Sequence, residues 1–154
     1  MDLKSNMKYG KIDSFRGDFR FLSNFYPCEI FDKGIRYTST EHAYQAAKTL
    51  DKEEKRQIQL CSSPGEAKKL GRKITIRVDW EYIKLSVMED LIRQKFSRHE
   101  KLKQRLLATE DVYLEESNNW HDSFWGICNG VGKNHLGLIL MKIREELKNE
   151  IQKI

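Results

Sequence analysis

Apolar residues in the second half of the chain recur at the three- and four-residue spacing of α-helices. Between about Trp80 and Leu107 they indicate two helices, and the repeating positions are Ile83, Val87, Leu91, Phe96, Leu102 and Leu106. A further stripe near the C-terminus consists of Leu136, Ile139, Leu140, Ile143 and Leu147. The pattern predicts amphipathic helices in both regions, each with one face directed at a core.

Short strands are predicted on either side of this helical part. The first 40 residues have the pattern of β structure, in which Cys28–Phe31 and Ile35–Thr38 flank the turn Asp32-Lys33-Gly34. Val112–Glu115 is a further candidate strand. With 154 residues, 39% of them hydrophobic, the chain is long enough for one domain. We therefore expect a single, compact, largely helical α+β domain with short strands, over residues 1–154.

Two helix starts stand out by their capping residues. Thr40 is a candidate N-cap for a helix that begins with Glu41, since an acidic first turn suits the positive end of the helix dipole. Ser63-Pro64 is a second start signal, and Gly71 is the predicted end of that short helix.

Several classes of protein are excluded by composition. Apolar runs are too short to cross a membrane, and the first residues lack the apolar core of a secretion signal. The four histidines lack metal-ligand spacing, and no CxxC pair occurs among Cys28, Cys61 and Cys128. We expect a cytoplasmic protein that has no disulfide framework, no metal and no other cofactor.

The net charge is +5, and the excess of basic residues is concentrated in two stretches, 67–78 and 93–105. Such patches favour anionic partners, meaning phosphorylated metabolites, nucleotides or nucleic acid. A solvated helix face accounts for each patch equally well.

The helix predicted from Glu41 carries polar residues on one face, because Glu41, Gln45 and Lys48 are separated by about one and two turns. The opposite face consists of Ala43, Ala46, Ala47 and Leu50. One interpretation is an amphipathic helix with an ordinary solvated face. The other is one wall of a cleft, where Glu41 handles protons and Lys48 is a phosphate ligand, proton donor or nucleophile. Helical spacing leaves both interpretations open.

The segment Asn118–Gly137 combines tryptophans, a phenylalanine, histidines and a lysine with four glycines in the twelve residues from Gly126. Aromatic faces, glycine amides and a lysine suit a loop that binds a flat base and a phosphate. The alternative is a structural loop anchored by Trp125. The sequence GVGKN lacks the P-loop pattern, and no dinucleotide-binding glycine motif occurs in the required context, which excludes both of those nucleotide sites.

A series of motifs in one order extends over about residues 15–148. It consists of Phe21–Phe25 (FLSNF), Tyr37–Lys48 (YTSTEHAYQAAK), Ala67–Arg72 (AKKLGR), Asp79-Trp80 with Lys84 and Met88, Lys95-Phe96, Leu106–Thr109 (LLAT), Asp122 with Trp125-Gly126, and Gly132–Gly137 (GKNHLG). This series resembles the NADAR family, the YbiA-like N-glycosidases. The chain departs from the family pattern at Ile127-Cys128-Asn129, where a more glycine-rich or acidic segment is common.

The resemblance implies a YbiA-like α+β fold and hydrolysis of an N-glycosidic bond. The implied substrate is a small phosphorylated N-glycoside, a phosphoribosylaminopyrimidine intermediate of riboflavin biosynthesis. An alternative is a glycohydrolase that removes ADP-ribose from guanine bases in nucleic acid, and another is a module that binds ADP-ribose or NAD without turnover. No membrane partner is expected, and the oligomeric state is left open.

Cleavage of an N-glycoside passes through an oxocarbenium-like state, which requires negative charge near the anomeric carbon and a proton for the departing nitrogen. The matched motifs supply Glu41, Lys48 and Asp122 as candidate catalytic residues, converging on one anomeric carbon. Glu41 or Asp122 stabilises the sugar cation, and Lys48 either protonates the leaving nitrogen or attacks C1 as a neutral amine.

Candidate substrate-binding residues also come from the matched motifs and their surroundings. Those for phosphate are Arg16, Arg20, Lys84 and Lys133. Those for ribose hydroxyls are Asn24 and Asn134, those for stacking on the base are Phe25, Trp80 and Trp125, and the set is completed by His42 and Gly126.

Overall fold

A computed structural model describes residues 10–153 of the chain. Its helices are a 3-10 helix (Gly17–Leu22), α1 (Thr40–Ala47), α2 (Lys52–Gln59), α3 (Pro64–Leu70), α4 (Trp80–Arg98), α5 (Glu100–Leu107) and α6 (His135–Gln152). Its strands are β1 (Lys11–Ile12), β2 (Pro27–Asp32), β3 (Ile35–Ser39), β4 (Tyr113–Leu114), β5 (Ser117–Asn118) and β6 (Ile127–Cys128). The predicted α+β class with short strands is confirmed. Within residues 10–153 no helix is both long and apolar enough to cross a membrane.

Contacts divide the chain into two compact units. The middle unit is Asn24–Lys95, and the terminal unit contains the described residues up to Ser23 together with those from Phe96 onward. The helix α4 begins in the middle unit, and its last residues belong to the terminal unit.

The predicted hairpin opens the middle unit. Strands β2 and β3 pair antiparallel, and Ile30 lies opposite Tyr37, with both side chains buried. The turn between the strands has positive φ at Lys33 and at Gly34, 50° and 81° respectively. Two successive positive φ values match the twist of a tight hairpin, so the turn predicted around the glycine is confirmed.

Helix α1 packs against both strands of the hairpin and against α2 and α3. Its N-cap is Ser39 and not the predicted Thr40, which is the first helical residue. The strand runs directly into the helix, so the last strand residue keeps an extended backbone, and its hydroxyl oxygen accepts the His42 backbone N–H at 3.1 Å. All eight residues of α1 are buried.

The other helix predictions are mostly confirmed. Ser63 caps α3, Pro64 is its first residue and Gly71 follows its last. The stretch after Trp80 forms two helices, α4 and α5. Helix α2 was not predicted, because Ile58 is its only apolar residue and its sequence therefore has no apolar stripe.

In the terminal unit, α6 packs against β4 and α5, and β4 pairs parallel with β1. The β structure predicted for the first 40 residues is wrong over Gly17–Leu22, which form the 3-10 helix. This turn buries Phe21, whose ring meets Phe96 edge-on at 6.4 Å and lies 4.2 Å from the Arg105 guanidinium carbon. In a strand the side chain of Leu22 would point to the face opposite Phe19 and Phe21, whereas the 3-10 helix buries all three side chains.

Replacing the Ser39 cap should destabilise the fold. In Ser39→Ala the first turn of α1 loses its acceptor, and His42 Nδ1 loses a partner that lies 2.6 Å away. We expect a loss of about 1–3 kcal/mol in the free energy of unfolding, since both groups are buried. Urea titration measures it. The matched control is Thr38→Ala, at an exposed strand position one residue earlier, and equal losses in the two variants would contradict the capping role.

Candidate active site

The polar face of α1 is buried. Glu41 is 7% exposed and Gln45 4%, so the interpretation of this face as an ordinary solvated surface is wrong. Lys48 follows the last residue of α1 and is half-buried. Leu50, predicted for the apolar side, is 65% exposed, because the helix has already ended before it. The acid and the amine therefore lie on one face of a helix that the surrounding elements largely enclose.

Glu41 is held by the middle unit at both its backbone and its side chain. Its backbone N–H donates to the carbonyl oxygen of Asn24 at 3.1 Å. Its carboxylate oxygen Oε1 accepts the side-chain N–H of Gln45, one turn further along α1, at 2.8 Å. The carboxylate also lies in the first turn of the helix, where the helix dipole favours negative charge.

Lys48 lies beside an aromatic pair. Its Nζ is 5.5 Å from the centroid of the Tyr44 ring, and that ring is 5.2 Å from the ring of Trp80, the first residue of α4. Burial is the main cause that lowers the pKa of Lys48, because a charged amine loses hydration there. Compared with an exposed lysine, Lys48 therefore has a larger fraction of neutral, nucleophilic amine at a given pH.

Three cations add to this effect and one anion opposes it. Lys68, Arg72 and Lys84 lower the pKa of Lys48 further, and Glu41 raises it. Lys84 was a predicted phosphate ligand. Lys68 and Arg72 come from the basic stretch 67–78 and are not among the predicted site residues. Their four-residue spacing on and just after α3 is the signal that points to them.

The basic stretch 67–78 thus has two parts. Lys68 and Arg72 act on Lys48, and Lys68 Nζ also lies 6.0 Å from the centroid of the Phe25 ring. Lys69 and Lys73 are exposed to solvent, as is Arg72, but neither is among the charges that shift the pKa of Lys48. A group of amines and a guanidinium close to Lys48 is suited to bind a phosphate group.

The other predicted residues of the middle unit have more varied surroundings. Phe25 is 40% exposed, which leaves part of its ring accessible, whereas Trp80 is 5% exposed and packs against Tyr44. The side-chain N–H of Asn24 donates to the Met88 sulfur at 3.4 Å.

His42 is directed into the protein. Its Nε2–H donates to the backbone carbonyl oxygen of Cys61 at 3.0 Å, which leaves Nδ1 to accept the Ser39 hydroxyl at 2.6 Å. Both ring nitrogens therefore bond within the protein, and the Nε2 bond joins the N-terminus of α1 to the residues after α2. The whole His42 residue is 1% exposed.

In the terminal unit, Asp122 organises the loop that follows it. Its Oδ1 accepts the backbone N–H groups of Phe124 and Trp125 at 3.1 and 2.9 Å, and its own backbone exchanges hydrogen bonds with the Asn118 side chain. The Trp125 ring packs edge-on against Phe124 at 4.9 Å. A Cβ at Gly126 would overlap the backbone oxygen of Glu116, so this glycine permits a close approach of two segments.

Asn134 is buried and has a left-handed backbone, with φ of 52°. Its side chain accepts the backbone N–H of Glu116 and donates to the carbonyl of Leu114, tying the loop to β4. Lys133 is exposed, with Nζ 5.9 Å from the Phe124 ring centroid. These bonds support the structural-loop interpretation of this segment.

Arg16 and Arg20, predicted to bind phosphate, are exposed around the 3-10 helix.

The basic stretch 93–105 is not a uniform surface patch, because Lys95 is only 1% exposed. Its Nζ lies 5.7 Å from the Tyr26 ring centroid, and burial lowers its pKa to about 8. Among residues 10–153 no group of three or more His, Cys, Asp or Glu side chains is placed to hold a metal ion.

Comparison with known proteins identifies the family. Residues 13–148 match the model of the NADAR domain. The N-glycosidase YbiA of Escherichia coli is 39% identical over 136 residues, which cover 86% of this chain and 84% of that protein. The chain belongs to the NADAR family, and the predicted resemblance is confirmed.

Further relatives and a solved structure agree with this assignment. An N-glycosidase of Nostoc punctiforme is 39% identical and covers 83% of this chain and 85% of its own length. A riboflavin biosynthesis protein of Vibrio vulnificus is 38% identical over 96% of this chain, which spans 41% of that protein's length. The NMR structure of E. coli YbiA matches with a TM-score of 0.83 and 34% identity, covering 96% of this chain and 91% of that one.

The charges around Lys48 should shift its pKa in opposite directions when they are removed. Lys68→Gln takes away a cation, so the Lys48 pKa should rise, whereas Glu41→Gln takes away the favourable anion, so it should fall. Titration of the Cε resonance of Lys48 by NMR, assigned with Lys48→Arg, measures both. The exposed Lys69→Gln is the control and should leave the Lys48 pKa unchanged. A shift of the same sign in the first two variants would contradict the assigned surroundings.

Proposed function

We propose that this chain hydrolyses the N-glycosidic bond of a phosphoribosylaminopyrimidine intermediate of riboflavin biosynthesis. Membership of the NADAR family and the names of its relatives confirm the predicted reaction class, an N-glycosidase. The riboflavin-related name of the Vibrio relative supports the substrate. The observation that carries the proposal is a buried Glu41 on α1 that acts electrostatically on the half-buried Lys48 directly after the helix, whose pKa is lowered.

In the covalent route, the neutral amine of Lys48 forms a bond to C1 of the ribose. The bond from C1 to the pyrimidine-bound nitrogen breaks, and that nitrogen leaves with a proton. The sugar is then held as a ring-opened imine, which water hydrolyses to release ribose 5-phosphate and the free amine. Burial and the three neighbouring cations support this route, because they favour the neutral amine that attack requires.

In the direct route, Lys48 acts as an ammonium group. It donates a proton to the departing nitrogen, while Glu41 stabilises the positive charge on the sugar and removes a proton from the attacking water. The hydrogen bond from Gln45 fixes Glu41 for either role. Both routes consume one water and yield the same products, so they differ only in the bond to Lys48.

The cations around Lys48 serve a second purpose in this proposal. Lys68, Arg72 and Lys84 surround the amine closely enough to lower its pKa, and the same charges attract the phosphate of a phosphoribosyl group. Phe25, with part of its ring exposed below Lys68, offers a face on which a pyrimidine stacks. Asp122 is retained as a proposed third catalytic residue.

Purified protein incubated with a phosphoribosylaminopyrimidine should release free ribose 5-phosphate and the pyrimidine in equal amounts, as followed by chromatography. Parallel incubation with DNA that carries ADP-ribosylated guanine distinguishes the alternative substrate. Turnover of the DNA alone would replace the proposed substrate, and binding of ADP-ribose without turnover of either would contradict an enzymatic role.

Removing the charge of the candidate carboxylates should lower kcat more than it raises KM. Glu41→Gln and Asp122→Asn keep the shape of the side chain, and the amide oxygen in Asp122→Asn still accepts the loop N–H groups. For a group that stabilises the oxocarbenium-like state we expect a loss of about a hundredfold, or about 3 kcal/mol. Steady-state kinetics on the small substrate measures it. Normal turnover in either variant would remove that residue from the catalytic set.

Trapping with borohydride separates the two routes. If Lys48 is the nucleophile, reduction during turnover should leave a stable sugar adduct on Lys48, located by peptide mass spectrometry. Lys48→Arg should then abolish turnover while keeping much of the phosphate affinity, since the charge remains and the nucleophile does not. No adduct in an actively turning-over sample would refute the covalent route and leave the direct one.

A further inference from the structure

Gln45 is a buried side chain whose two polar ends have different surroundings. It is 4% exposed. Its Nε2 donates to the Glu41 carboxylate at 2.8 Å, whereas no group within residues 10–153 donates a hydrogen bond to its buried Oε1. A buried acceptor without a donor costs free energy of folding. An apolar side chain at this position would avoid that cost, so the benefit of the glutamine lies at its other end, on Glu41.

The Oε1 end of Gln45 lies against Gly71, directly after α3. A Cβ at position 71 would overlap Oε1 and would lie 2.7 Å from the Cδ of Gln45. The backbone of Gly71 has φ of −59° and ψ of −17°, which every residue adopts easily. Glycine is therefore required at position 71 because a larger side chain would not fit, and not because of its backbone conformation. The sequence predicts this glycine for a different reason, as the end of a helix.

We propose that Gln45 is the positioning residue for the Glu41 carboxylate, and that the space at Gly71 holds Gln45 in that position. This inference rests on the proposed function, in which Glu41 acts at the sugar. Helix α1 supplies the acid and its support one turn apart, and the residue after α3 closes the far side of the amide. A side chain at position 71 displaces the amide and releases the carboxylate.

The first test is Gly71→Ala, with Gly65→Ala as its matched control. Gly65 lies in the same helix α3, is exposed, and the nearest atom to its added Cβ is Ser63 Oγ at 3.9 Å. We expect Gly71→Ala to lower kcat by about tenfold to a hundredfold, because a misplaced catalytic group loses its alignment, while KM changes by about threefold or less. Gly65→Ala should keep the parent kinetics. A purely structural role would lower the amount of active protein and leave both constants of the folded fraction unchanged, which would overturn the proposal.

The second test is a double-mutant cycle with Gln45→Ala. That variant removes the amide that a Cβ at position 71 would strike, so adding Gly71→Ala to it should cost little more, in kcat and in the free energy of unfolding alike. If the two changes act independently, their effects add, and Gly71 does not work through Gln45. Additive effects would therefore overturn the inference even if each single variant were impaired.

A readout without substrate keeps this test separate from the proposed function. The side-chain amide protons of Gln45, assigned by their loss in Gln45→Ala, should shift in the NMR spectrum of Gly71→Ala and not in that of Gly65→Ala. If the parent protein turns over neither N-glycoside, the proposed function fails, and the amide shift and the stability cycle still decide whether Gly71 sets the Gln45–Glu41 bond. Unchanged amide resonances in Gly71→Ala would overturn the positioning role itself.

Discussion

The enclosure of α1 is the constraint on which the rest of the middle unit depends. The helix packs on the hairpin and on α2 and α3, and all of its side chains are buried although half of them are polar. Buried polar groups generally require a partner inside the protein, and within residues 10–153 the Oε1 of Gln45 is an exception. The Ser39 hydroxyl bonds to the first turn and to the His42 ring, and the Gln45 amide donates to the Glu41 carboxylate. The buried Lys55 donates to the Ala46 carbonyl oxygen in the last turn, 3.0 Å away.

The same enclosure accounts for the chemistry. A carboxylate and an amine two turns apart on a solvated helix would both keep ordinary properties. Here burial lowers the pKa of Lys48, and the nearby basic residues, which we propose bind the phosphate, lower it further. Placing several cations near one another costs free energy, and the negative charge of Glu41 partly offsets that cost. The stability of the fold and the proposed reactivity of the site thus depend on one packing arrangement, in which the acid and its glutamine lie on α1 and the amine follows directly after it.

Local signals in the sequence were sufficient for much of the fold. The hairpin turn, the Ser63-Pro64 helix start and the long apolar stripes identify elements that depend mainly on neighbouring residues, and the series of motifs over about residues 15–148 identifies the family. The burial of Lys95 and the enclosure of the polar face of α1 depend on distant contacts, so the sequence left both open. The role of Gly71 could not be predicted from the sequence either, because it depends on the close approach of the Gln45 side chain in the folded protein.

The central claim is that one face of α1 holds the group that reacts at the sugar. A crystal structure of Glu41→Gln with an uncleaved phosphoribosylaminopyrimidine tests it most directly, because the variant keeps the shape of the site and removes the charge. The account predicts that either the anomeric carbon (covalent route) or the leaving nitrogen (direct route) lies about 3–3.5 Å from Lys48 Nζ, with the phosphate against Lys68, Arg72 or Lys84. A sugar bound away from Lys48, in a crystal of a variant that has lost turnover, would contradict the account.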